Sequence, residues 1–153
     1  MKKLGWLLML VAIVIGASQG IVMVRHKVAA FGASAPWRQE SKNDEKRLLE
    51  AFQQQQGLAQ VTVSGRIIKV LPDDNQGSRH QRFIMEVGAG QTLLVAHNID
   101  LAPRLVGLNA GQQVTVSGEY LWNAQGGLLH WTHHDPAGQH PGGWILYNGQ
   151  RSE

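Results

Sequence analysis

The chain has 153 residues, a net charge of +3, no cysteine, seven histidines and 16% charged residues, with a pI near 9.5. That length suits one domain plus an appendage. The lack of cysteine excludes disulfides, thiolate metal sites and a cysteine nucleophile, so a metal would rest on His, Asp or Glu. Eighteen Gly and five Trp point to turn-rich β structure rather than a helical bundle.

The basicity is confined to one end. Residues 1–58 hold eight Lys/Arg against four acids, a net of +4, whereas residues 59–153 hold six against seven, a net of −1, together with six of the histidines. A near-neutral C-terminal domain lacks the basic footprint that strong nucleic-acid binding requires.

Lys2 and Lys3 precede Leu4–Val24, a run in which only Ser18 and Gln19 are overtly polar, and Arg25, His26 and Lys27 close it. About 20 apolar residues cross a bilayer as a helix. A cleaved secretory signal is the rival, with Leu7–Ile15 as its apolar region. Gly16–Gly20 lacks an Ala-x-Ala site and the apolar run resumes at Ile21, which favours an uncleaved single-pass anchor over residues 1–27. The expected setting is the bacterial inner membrane with the domain on the periplasmic side, or secretion if the leader is cleaved.

Residues 28–57 read as a connector. Ala29–Gln39, with Gly32, Ser34 and Pro36, is expected as a spacer. Ser41 and Asp44 resemble a capping box ahead of a short amphipathic helix with Leu48, Leu49 and Phe52 on one face, fading through Gln53–Gln56.

From Gly57 the period is two. Strands are expected at Val61–Leu71, His80–Val87, Gln91–His97, Gln112–Trp122 and Leu128–His133. Pro72–Ser78, Gly88–Gly90, the long crossing Asn98–Asn109 and Asn123–Gly127 separate them. Gln60-Val-Thr-Val-Ser-Gly65 recurs as Gln113-Val-Thr-Val-Ser-Gly118. The flanks diverge at once, so the match reads as two strands meeting at a seam, each needing β-branched residues inside and a Gly at a sharp bend.

Strand number and spacing, with Leu108–Val114 leading into the fourth strand, resemble an oligonucleotide/oligosaccharide-binding (OB) fold. The expectation is all-β: a small five-stranded Greek-key barrel over 58–150, with the first and fourth strands closing it. The segments Leu71–Asn75, Arg79–Phe83, Ala96–Arg104 and His130–Pro136 resemble a bacterial envelope family known as a domain of unknown function, type 3465. That resemblance implies an OB-like core and an envelope location, and brings neither an activity nor site residues.

Chemistry is therefore read from residue types. His130, His133, His134, Asp135 and His140 are the candidate metal set, for Zn or Mn, because imidazole and carboxylate are good first-row ligands. His130 and His133 face opposite ways on a regular strand, so sharing an ion requires a break near Thr132. The alternative is that Asp135 and the histidines bond loop backbone and fix the Pro/Gly-rich turn. Arg79, His80, Arg82, His97, Asn98, Asp100, Arg104 and Trp131 are the candidate ligand-binding set, combining a cationic clamp, acid/base groups and a stacking ring. Two functions follow: an envelope binding or interaction module for an unidentified ligand or envelope protein, and a His/Asp metal-dependent hydrolase of the phosphodiesterase kind. The second rests on fold analogy. No nucleophile elbow, phosphate-binding glycine loop or His-Glu-x-x-His motif is present in the sequence.

Overall fold

In the computed structural model, residues 36–153 are described. The expected anchor Leu4–Val24 lies outside them. They begin with helix α1 (Pro36–Gln53), followed by strands β1 (Leu58–Asp74), β2 (His80–Glu86), β3 (Thr92–Asn98), β4 (Gln113–Leu121), β5 (Leu128–His130), β6 (Trp144–Tyr147) and β7 (Gln150–Ser152). The fold is mostly β: one helix, then a seven-stranded mixed sheet ordered β1-β2-β3-β5-β4-β6-β7. A further β1–β4 pairing joins the ends of its first five strands into a ring. Every pairing is antiparallel except β3 with β5.

The repeated hexapeptide explains the closure. Its two copies pair with each other, Val61 opposite Gly118, Val63 opposite Val116 and Gly65 opposite Val114. Alternation sends Val61, Val63, Val114 and Val116 into the core with Phe83, Met85, Leu93, Val95, Tyr120, Leu129 and Ile145. The other face of the seam carries hydroxyls, with Thr62 Oγ1 donating to Ser117 Oγ at 3.0 Å and Ser64 2.9 Å from Thr115. Each copy ends in a Gly for a steric reason. A Cβ on Gly65 would sit 2.3 Å from the Glu86 carbonyl oxygen, and one on Gly118 the same distance from that of His130.

Helix α1 covers this hydroxyl face. Its buried positions Ser41, Asp44, Leu48 and Ala51 follow the helical period. Ser41 Oγ donates to Ser64 Oγ at 3.1 Å, and the Thr62 N–H donates to Asp44 Oδ2 at 2.7 Å. Two expectations change here. The helix already includes Pro36–Gln39 of the expected spacer. Ser41 and Asp44 are not a cap but the polar stripe that docks the helix.

All five expected strands are present, β1 extending through Pro72 to Asp74 and β5 ending three residues early, at His130. β6 and β7 were not anticipated: four and three residues long, they are too short for period two to register. β6 lies against β4, Trp144 opposite Ser117 and Tyr147 opposite Val114.

Candidate functional site

β5 stops because Trp131 takes a left-handed backbone, φ 51°, a conformation that costs a bulky residue about 1–2 kcal/mol. The strand thus breaks at Trp131, next to the position where His130 and His133 would need a break to share an ion. The loop that follows, 131–143, is built around Asp135. Its carboxylate accepts the N–H of Ala137 at 2.9 Å, of His140 at 2.9 Å and of Gln139. These donors, His140's first, hold the carboxyl below the usual carboxylate range against the opposing effect of burial. Gly143 closes the loop, its N–H on the His133 carbonyl at 2.9 Å. It has to be glycine, since a Cβ there would lie 2.0 Å from the Trp131 carbonyl oxygen.

Between this loop and the ends of β2 and β3 lies a cleft of about 360 Å³ lined by Ser78, His80, Ala96, Asn98, Leu101, His130, Trp131, His133, Asp135, Gln139 and His140. Seven expected site residues meet there: His80, Asn98, His130, Trp131, His133, Asp135 and His140. Each of the four imidazoles has one nitrogen anchored. His80 Nδ1–H donates to the Ser78 carbonyl at 2.8 Å, His133 Nδ1–H to that of His134 at 2.6 Å and His140 Nδ1–H to that of Pro141 at 2.9 Å. His130 Nε2 lies 2.5 Å from Glu119 Oε2 on the adjacent strand. The carbonyl partners require a proton on Nδ1 of the first three rings and leave Nε2 off the backbone.

Trp131, 38% exposed, does not offer a bare ring. His140 stacks on it with centroids 4.0 Å apart at 12°, and His130 is tilted against it at 5.0 Å. His133 and His140 meet edge-on at 5.6 Å. Among the described residues, no three His, Asp or Glu side chains are arranged to hold a metal ion. His134 does not line the cleft; its carbonyl serves His133.

The expected cationic clamp is spent on carboxylates. Arg79 donates from its backbone N–H and from Nε to Asp100, both at 2.7 Å, which holds Asp100 below its ordinary range. Arg104 grips Asp73 at 2.5 and 3.1 Å, lowering that carboxyl and raising its own guanidinium. Arg82 Nε donates to the Pro72 carbonyl at 3.1 Å, with Asp74 3.9 Å away. None of Arg79, Arg82, Asp100 and Arg104 lines the cleft.

His97 is sealed in the interior at 0% exposure. Its Nε2–H donates to the Pro103 carbonyl at 3.1 Å and its Nδ1 accepts from Thr132 Oγ1 at 2.8 Å, with Ser152 Oγ 3.1 Å from Nε2. Burial pushes its pKa down, so the neutral ring is the folded form. His97 thus fastens Thr132, between two cleft residues, to the connection between β3 and β4 and to β7. Sequence reasoning missed Glu119 and Ser152, which become visible only once strand register is known, and Ser78, Leu101 and Gln139, which carry no chemical signal of their own.

The arrangement presents four imidazoles and one carboxylate in a cleft whose lining holds no Arg or Lys. No match is found among curated proteins. A family model matches residues 31–153. The chain belongs to the family described as Protein of unknown function (DUF3465).

Proposed function

We propose that the protein is a membrane-anchored, envelope-facing binding module, that its strand ring is an OB-type barrel, and that the histidine cleft is its ligand site. One observation carries this reading. The start of β2, the end of β3, β5 and the 131–143 loop converge on one cleft whose imidazoles keep at least one nitrogen each off the protein backbone. Leu4–Val24 supports the anchor, and the net charge of −1 over 59–153 argues against nucleic acid as the guest. Tryptophan fluorescence of the full chain in detergent, titrated with neutral glycans and with oligonucleotides, tests it. A saturable glycan response weakened by Trp131→Ala is expected, and silence toward both classes defeats the reading. A phosphatase fused after Lys27 tests placement: active fusions support a periplasmic domain and inactive ones refute it.

The metal-dependent hydrolase is kept as a second reading because Glu119 orients His130 through Nε2, leaving Nδ1 as a general-base candidate. Turnover of a chromogenic phosphodiester with Zn²⁺ or Mn²⁺, abolished by His130→Gln, would put it first.

A further inference from the structure

We infer that His133 and His140 form a two-imidazole platform for an exchangeable first-row divalent metal ion, with its remaining coordination positions open to water or to a guest in the cleft. Two imidazoles sharing one ion at metal–nitrogen distances of about 2.0–2.1 Å carry their ring centres roughly 5–6 Å apart. The two rings stand 5.6 Å apart and nearly perpendicular, at 82°. Each gives its Nδ1–H to a backbone carbonyl, at 2.6 Å for His133 and 2.9 Å for His140. That is the outer support which fixes a ligating imidazole's tautomer and orientation and leaves Nε2 as the donor.

The rings are also held in place. Trp131 backs His140 at 4.0 Å, and His133 is only 4% exposed, so little rotamer freedom is lost on binding. Asp135 Oδ2 lies 3.8 Å from His140 Nε2 and puts a negative charge beside the platform, while Arg79, Arg82 and Arg104 lie off the cleft lining. His130 is committed to Glu119 and His134 lies off the cleft, so the five-residue set expected from sequence contracts to two nitrogens with a nearby carboxylate. Two protein donors make a weaker, more open site than three or four, and imidazole donors rank Cu²⁺ above Ni²⁺ and Zn²⁺.

The inference uses the cleft of the proposed function but does not need its guest. Tag-free full chain in detergent, stripped with chelator, is titrated with Cu²⁺ and followed by calorimetry and electron paramagnetic resonance. One ion per chain with a nitrogen-coordinated signal is expected. His133→Gln and His140→Gln should each weaken binding at least tenfold, and His134→Ala should leave it unchanged, with circular dichroism confirming that each variant is folded. No stoichiometric uptake, or uptake indifferent to both Gln variants, overturns the inference. A glycan response persisting in the metal-free chain would leave the binding reading standing when this one fails, and metal uptake without any glycan response would do the reverse.

Discussion

Two regions of this domain are rich in polar side chains, and they treat hydrogen bonds in opposite ways. At the β1–β4 seam, Ser41 of α1 bonds to Ser64, Ser64 to Thr115, and Thr62 to Ser117, so each of these hydroxyls has a partner, while Gln60 Oε1 nearby is buried without one. In the cleft, each histidine has one nitrogen fixed and the other left over. A closed network specifies a structure, because every member would be costly to strand. A half-used one, rigidly held, is what a binding site requires.

This contrast can be broken from the seam side with the largest effect. Gly118→Val forces a Cβ into the carbonyl of His130 and is expected to destabilise the domain by about 2–3 kcal/mol, read as a fall in the urea midpoint. A variant unfolding within 0.5 kcal/mol of the wild type, roughly the level of a neutral surface change, would mean the strands do not cross so closely. The intermediate effect belongs to His97, which fastens Thr132 beside the cleft to Pro103 and Ser152. Its folded pKa lies below the unfolded value of about 6.5, so the unfolded chain takes up the proton first. The contribution is complete above about pH 6.5 and is lost as pH falls below it. Wild-type stability should therefore drop between pH 7 and pH 5 more steeply than that of His97→Gln; equal slopes would remove His97 from this role. The smallest effect is expected from Arg104→Ala, whose exposed pair with Asp73 is worth about 0–1 kcal/mol. It should also leave any cleft binding untouched, and a binding defect would return the cationic clamp to consideration.

How far the sequence reached depended on what each residue interacts with. The five ring strands were legible because alternation is a local signal, and the seam because the same six residues occur twice. α1 was read late because Pro36 looks like a spacer residue. The cleft was half legible: residue type brought forward His80, Asn98 and the 130–140 cluster, but type alone also brought forward Arg79, Arg82 and Arg104, whose carboxylate partners are fixed only by tertiary placement. His97 shows the limit most sharply. Nothing local distinguishes an imidazole that will face solvent from one that will be enclosed by Pro103, Thr132 and Ser152.

The self-pairing hexapeptide also has a kinetic consequence. Thr62 and Ser117, bonded across the seam, are 55 positions apart, so the ring closes only after the chain between them has been drawn into a loop, and that entropy is lost before the contacts form. Closure of the seam is thus expected to set the folding rate. Val63→Ala and Val116→Ala, which lie opposite each other, should slow refolding in step, while Leu93→Ala on β3 should mainly speed unfolding. The two copies of one short phrase would then meet before β3 finishes packing.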